Sequence, residues 1–290
     1  MPELPEVETI VSELKKMVLK RTIFDVWTDA EKIIRKPKNF NKFRKEISGK
    51  KIKDIQRRGK NILFYLSGAK ILLCHLKMTG HFLYGKWEFK NGEWKSKKRG
   101  PLNDPMNRFL HLIFFLDNKN MLALSDLRKF AKVELWEKNE FENSKDFLKL
   151  GPEPLEKEFT LGKFKTILKG KKGRIKQVLM NQEVLVGIGN IYSDEILWKA
   201  KVNPFKKINQ LKEKELKEIY KAIKKVLKRA IQLKGESISD YRRVSGKKGF
   251  FDKERKVYRK TGQKCLRCKT KIKRKKIGAR SAHYCPKCQK

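Results

Sequence analysis

No stretch of this 290-residue sequence approaches the ~20 consecutive apolar residues that a membrane-spanning helix needs. The longest apolar runs, Ile71–Leu76 and Leu110–Leu116, have the length of buried strands. Cysteine is scarce as well. There are five, in a chain whose first turn is acidic (Glu3, Glu6, Glu8) where a secretory leader would be basic. A disulfide framework is therefore not expected, and Cys74 reads as a buried core thiol. Acidic residues are the largest deficit: 32 Asp and Glu stand against 74 Lys and Arg, for a formal charge of +42. A general lysine bias explains part of this. The charge also clusters locally, which points to a polyanionic partner, nucleic acid before anionic membrane.

Hydrophobic residues make up 39% of the chain, enough for real cores over a length that suits two domains and a small appended module. Residues 5–19 carry Val7, Ile10, Val11, Leu14, Met17 and Val18 at helical spacing. Pro5 suits the first helical turn. From Thr22 to about Glu137 short strands are expected at Thr22–Trp27, Lys51–Gln56, Asn61–Leu66, Ile71–Leu76, Phe109–Leu116, Met121–Leu124 and Ala131–Trp136. This pattern predicts a β-sandwich, with Lys86–Asn107 as a long polar loop. Gly151–Leu155 reads as a junction. Beyond it, helices are expected at Phe159–Leu168, Ile175–Glu183, Ile191–Ala200 and Leu211–Leu233, the last capped by Gly235.

Three features carry chemistry. At the N-terminus, removal of Met1 would leave Pro2 with a free secondary amine beside Glu3 and Glu6. Such an amine gives a cationic iminium with a sugar aldehyde carbon, which is an electron sink. Glu6 is equally explained as a helix N-terminal carboxylate. Near the C-terminus, Cys265-x2-Cys268 and Cys285-x2-Cys288 are sixteen residues apart, the pattern of a closed, structural four-cysteine zinc site. Around them, Arg255–Lys290 holds fifteen Lys or Arg and no acid, a basic face for nucleic acid, although zinc ribbons also bind proteins. Between these, Gln177–Glu195 reads as helix, glycine turn, helix, with Asn190 as N-cap of the second helix. Gly187 and Gly189 let a phosphate approach the backbone, although an ordinary helix hairpin has the same pattern.

Six segments in order resemble the formamidopyrimidine-DNA glycosylase family over nearly the whole chain: Pro2–Thr9, Arg57–Lys60, His75–Gly80, Gly151–Leu155, Val186–Tyr192, and Gly278–Ser281 with the four cysteines. The resemblance implies an α+β multidomain protein. Residues 1–150 would be a catalytic β-sandwich domain with an N-terminal helix. Residues 151–248 would be a helix-two-turn-helix domain with a lesion-capping loop, and 249–290 a zinc finger. It implies base-excision repair chemistry on oxidised purines, with a flipped nucleotide, attack of Pro2 on C1′, and β,δ-elimination. By resemblance, Glu3 is the acid/base, Glu6 a supporting carboxylate, and Lys60 a cation near the lesion, where composition alone makes it one more solvated lysine. Asn190 and Arg280 clamp the flanking phosphates, Arg280 counting with the catalytic set, and Arg174 and Lys176 add to them. Met78, Arg128 and Phe130 fill the gap in the duplex, opposite cytosine.

The wedge segment departs from the family, reading Ser125-Asp126-Leu127-Arg128-Lys129-Phe130-Ala131 where Asp-Pro-Arg-Arg-Phe-Gly is usual. The capping segment Ser237–Phe251 is variable. Expected partners are damaged double-stranded DNA and one structural Zn²⁺, in a monomeric protein of the bacterial cytoplasm and nucleoid. Two alternatives are an endonuclease VIII-like enzyme for oxidised pyrimidines, against which Leu4 counts because that branch has Gly there, and a non-catalytic zinc-ribbon binder.

Overall fold

The computed structural model describes residues 1–97, 99–237 and 240–290. The chain divides into two compact units, Met1–Leu148 with Leu233–Asp252, and Lys149–Gln232 with Lys253–Lys290.

The first unit opens with helix α1 (Leu4–Val18), followed by β1 (Ile23–Thr28), β2 (Ile34–Lys36), α2 (Phe40–Ile47), β3 (Ile52–Arg58), β4 (Asn61–Leu66), β5 (Lys70–His75) and β6 (His81–Gly85). Next come β7 (Trp87–Lys90), β8 (Glu93–Ser96), β9 (Leu110–Leu116), β10 (Met121–Ser125), β11 (Lys132–Glu137) and the short helices α3 (Lys138–Glu142) and α4 (Lys145–Leu148). Two sheets form, ordered β1-β9-β10-β6 and β2-β11-β5-β4-β3. All neighbours pair antiparallel except β2 with β11.

Strand alternation explains the layers. On β4, Ile62, Phe64 and Leu66 enter the core shared with Phe82, Leu112 and Phe114 of the other sheet and with Val7, Ile10 and Leu14 of α1. Leu63 points the other way and packs with Ile71, Leu73 and Phe141. Both faces of β4 and β5 are covered, so these strands read as continuous apolar runs rather than as alternation. The expected strands are all present, shifted by a residue or two at their ends.

The expected long loop 86–107 is instead the hairpin β7–β8 followed by two short 3-10 turns. Its turn is Asn91-Gly92, with φ of 53° and 78°, the left-handed pair that a tight hairpin needs. Trp87 and Trp94 from this hairpin cover the outer face of the first sheet at Leu83, Leu110 and Ile113. Trp94 lies edge-on to Trp27 at 5.4 Å and against Phe115 at 6.0 Å. Helix α2 was not foreseen either. It rests on the Asn39 side chain, which accepts from the Lys42 N–H at 2.8 Å, and on the buried pair Phe43 and Ile47, one turn apart.

The second unit is helical, with α5 (Leu161–Leu168), α6 (Ile175–Met180), α7 (Asn190–Ala200) and α8 (Glu213–Gln232), then the hairpin β12 (Lys273–Ile277) and β13 (Arg280–Tyr284). Helix α8 buries one stripe, Ile219, Ala222, Ile223, Leu227 and Ala230, and leaves a lysine-rich face outside. Trp198 of α7 packs on Val257, Ile272, Cys265 and Cys285. Compactness thus groups the basic finger with the helices. The segment 233–248, read from sequence with the helical region, groups with the sandwich, where Tyr241 and Val244 join the core. Of the capping segment, Ile238 and Ser239 lie outside the described residues.

Phe64 is 1% exposed and meets Phe82 edge-on at 5.8 Å across the two sheets. Phe64→Ala should cost about 3–5 kcal/mol of stability, read from urea unfolding of the full chain. A loss below about 1 kcal/mol would contradict a single core shared by the two sheets.

Candidate active site and nucleic-acid interface

At the N-terminus, Glu3 occupies the position before α1, and Pro5 falls in its first turn. Pro2, Glu3 and Glu6 are all buried. The Glu6 carboxylate is held at both ends: Oε2 accepts the Glu3 N–H at 2.7 Å, and Oε1 accepts the Glu236 N–H at 2.8 Å. Gly235 makes this approach possible. Its φ is +79°, and a Cβ there would stand 2.7 Å from Glu6 Oε1. Glu6 is therefore an anchor for the start of the chain.

Lys60 lies in the turn between β3 and β4 and is 8% exposed, which rules out the bland reading of a solvated lysine. With Met1 in place, burial lowers the α-amine below its ordinary value. Glu3, Glu6 and Asp240 pull it upward, and Lys60 pushes it down. One amine is thus set among two buried carboxylates and a buried ammonium. Arg57, from the same basic turn, is taken up by structure, with Nε donating to Glu8 Oε2 at 2.7 Å.

The three wedge candidates sit on two loops of the first unit. Met78 is half-buried, and Arg128 and Phe130 are exposed, with the Arg128 guanidinium 4.4 Å from the Phe130 ring centre. Sequence reasoning missed the residue that binds these loops together. Asp126, fully buried, accepts the N–H groups of Phe130 and Ala131 at 2.7 Å each and the hydroxyl of Thr79. The Arg128 N–H donates in turn to Thr79 Oγ1 at 3.2 Å. This explains how the turn forms with Leu127 in place of proline. The signal was present, since Asp is the residue that folds back onto N–H groups of a following turn. His75, at the head of the Met78 loop, is pushed down to about 3, first by burial and then by Lys77, Lys60 and Lys132. It is neutral, and its Nδ1 accepts the Lys77 N–H at 3.0 Å.

In the second unit, the glycine turn is stapled by Gln182. Its Oε1 accepts the Gly187 N–H at 2.8 Å, and its Nε2 donates to the carbonyls of Met180 and Ile188. Asn190 is the first residue of α7, not its cap; Gly189 holds the cap position. This correction frees the Asn190 side chain, whose Oδ1 is buried without a hydrogen-bond partner. Asn190 lines a cavity of about 530 Å³ with Arg259, Arg274, Lys276, Arg280 and Tyr258. No acid lines it, so its field suits an anion.

Two expected members do not join this cavity. Arg174 lines a separate cavity of about 840 Å³ with Lys165, Lys169 and Lys172. Lys176 is 0% exposed, and its ammonium donates to Asp194 Oδ1 at 2.6 Å and to the Ser281 carbonyl at 2.8 Å. The expectation that Lys176 touches DNA is corrected, because a fully buried ammonium spent on a carboxylate has no reach to a phosphate.

The four candidate metal ligands converge. The sulfurs of Cys265, Cys268, Cys285 and Cys288 lie within 4.8 Å of one another, with 4.0 Å from Cys265 to Cys288 and 3.4 Å from Cys268 to Cys285. A zinc tetrahedron with Zn–S of about 2.3 Å has edges of about 3.8 Å, so the donor set fits one structural zinc ion with no open position.

The whole chain has known relatives. Models of the formamidopyrimidine-DNA glycosylase N-terminal domain, the formamidopyrimidine-DNA glycosylase H2TH domain and the zinc finger found in FPG and IleRS match residues 1–133, 150–242 and 262–290. The formamidopyrimidine-DNA glycosylase of Carboxydothermus hydrogenoformans is 39% identical over 290 residues, covering 100% of both chains. That of Brevibacillus brevis is 36% identical, covering 100% of this chain and 99% of its own. The Lactococcus lactis Fpg in complex with abasic-site DNA superposes with a TM-score of 0.85 at 34% identity, covering 99% of each chain. The same protein bound to DNA containing Fapy-dG gives 0.85 at 33% identity, covering 99% of this chain and 100% of that one. With three domain models in order and full-length relatives well above 30% identity, the chain belongs to the formamidopyrimidine-DNA glycosylase family.

Proposed function

We propose that this chain is a bifunctional DNA glycosylase and AP lyase that removes oxidised purines, 8-oxoguanine and formamidopyrimidines, from duplex DNA. The observation that carries the reading is the buried N-terminal cluster, in which Pro2, Glu3 and Lys60 stand at one terminus fixed by Glu6.

Once Met1 is removed, the Pro2 nitrogen attacks C1′ of the flipped nucleotide. The bond between C1′ and the base nitrogen breaks, and the base leaves with the proton that the Pro2 nitrogen gives up on forming its bond to C1′. Glu3 protonates the opening sugar oxygen, and the nitrogen lone pair forms an iminium at C1′. Loss of a C2′ proton then expels the 3′ phosphate, a second elimination expels the 5′ phosphate, and water releases the enzyme. Pro2 is buried, and burial disfavours the charged form of a nitrogen and so favours the neutral nucleophile. The iminium cation that follows is stabilised by the two carboxylates.

The wedge Met78, Arg128 and Phe130 fills the space of the flipped base. The stacked Arg128–Phe130 pair offers a planar donor beside an apolar ring. Asn190 and Arg280 hold the phosphates in the acid-free cavity, and Arg174 adds a more distant cationic contact. Zinc keeps the basic hairpin folded. Along the chain, residues 1–150 perform the chemistry, 151–248 supply the helix pair and capping segment, and 249–290 supply the finger. The protein works as a monomer in the bacterial cytoplasm. Among the described residues no helix is long and apolar enough to cross a membrane. The Lactococcus lactis protein has also been solved with DNA containing an oxidised pyrimidine, so such lesions are reasonable secondary substrates.

Borohydride should trap a covalent complex between the processed protein and 8-oxoguanine duplex. Pro2→Gly should lose most of it, and an N-terminal extension that blocks the amine should lose all of it. Strong trapping by the extended protein would remove Pro2 as nucleophile. Chelation of zinc should weaken binding to abasic-site duplex by at least about tenfold, the share of one or two lost phosphate contacts, while the sandwich keeps its thermal transition. Unchanged binding would refute the phosphate role of Arg280.

A further inference from the structure

Lys176 has no route to DNA, yet it stands where two parts of the second unit meet. Its ammonium joins Asp194 of α7 to the carbonyl of Ser281 in β13. The second oxygen of Asp194 accepts both the backbone N–H and the ring Nδ1 of His283, each at 2.9 Å. Ser281 and His283 lie two residues apart on β13, so the strand is held at two points on one side. Arg280 directly precedes the first of them, and Asn190 starts the helix that carries Asp194. The neighbouring Glu195 adds a second pin. It accepts the N–H groups of Lys256, Val257 and Tyr258 at 2.9, 3.0 and 2.9 Å, which fixes the segment leading into the finger.

We propose that Lys176 is a positioning residue: through Asp194 it locks the strand carrying Arg280 to the helix carrying Asn190, so both reach the DNA backbone as one preformed clamp. This rests on the reading of Arg280 and Asn190 as phosphate contacts.

Asp194 and Glu195 are adjacent and buried, so removing the Lys176 ammonium leaves a buried carboxylate without its cationic partner. An arm held in place beforehand also avoids the ordering cost that a loose basic hairpin would meet on binding. A purely structural lysine would support the fold whether or not Arg280 were present, whereas a positioning lysine acts only through Arg280.

The test is a double-mutant cycle on a duplex carrying a reduced abasic site, with zinc content measured on each variant of the full chain. Arg280→Ala and Lys176→Met should each weaken binding by about tenfold, and the double variant should stay within about twofold of Arg280→Ala. Asp194→Asn, which keeps the side chain's shape, should couple to Arg280→Ala in the same way. Additive losses, about a hundredfold in the double variant, would overturn the proposal while leaving Arg280 a phosphate contact. Loss of zinc from both Lys176→Met and Asp194→Asn would also overturn it, because the pin would then serve folding of the finger. Unchanged binding by Arg280→Ala would instead remove the phosphate reading itself, and the proposal with it.

Discussion

A chain terminus frays unless it is tied down, and here residues 2–7 are buried. The interaction that supplies the order is the Glu6 carboxylate, shared between the Glu3 N–H and the Glu236 N–H. Helix α1 alone would not suffice. Its apolar stripe of Val7, Ile10 and Leu14 fixes the helix on the sandwich but leaves the residues before it free to rotate. Glu6 reaches back past the helix start and across to residue 236, bridging two segments 230 positions apart. Glu13, two turns on, repeats the pattern by accepting the Val244 N–H and pairing with Arg243. One face of α1 thus organises the chain start and the 233–252 segment together, so the two share a single support.

The second unit solves an analogous problem with α7. A helix that buries Asp194, Glu195 and Tyr192 is unusual for a surface helix and would be costly if those acids were unmet. Asp194 is met by Lys176 of α6 and His283 of β13, and Glu195 by the N–H groups of the segment 256–258 that leads into the finger. The cost of burial is offset by these contacts, which tie the arrangement to particular donors.

Much of this was legible in the sequence because period and spacing carry it. Strand β4 was placed at Asn61–Leu66, where it is found, and the cysteine spacing was enough to identify a closed metal site. The hairpin β7–β8 was missed although Asn91-Gly92 is a strong turn signal. The surrounding Lys and Glu made the segment look like solvent-exposed loop, and only the packing of Trp87 and Trp94 on the outer sheet face shows why it folds. Lys176 and Asp126 failed for a different reason. Residue type and neighbourhood suggested a phosphate contact for Lys176 and no role for Asp126, yet burial decides both. Burial is set by partners far along the chain, Ser281 in one case and Thr79 in the other. For Asp126 the fold-back onto the N–H groups of Phe130 and Ala131 was a local signal that was overlooked. Only its Thr79 link, 47 residues away, was beyond a local pattern, as was the Ser281 partner of Lys176, 105 residues away.

The distribution of charge follows from the same economy. Among the described residues seven acids are buried, Glu3, Glu6, Asp126, Glu134, Asp194, Glu195 and Glu236, against three basic side chains, Lys60, Lys176 and Arg242. The chain has fewer than half as many acids as bases. Several of the buried acids hold backbone N–H groups that define the site, as Glu6, Asp126 and Glu195 do. Withdrawing them from the surface leaves the exterior still more positive than composition alone would make it. The formal +42 already counts these carboxylates; with seven acids but only three Lys or Arg withdrawn among the described residues, burial raises the positive balance of the exterior further. The same acids that shape the amine pocket and the clamp also leave the outside free to attract a phosphate backbone without regard to sequence.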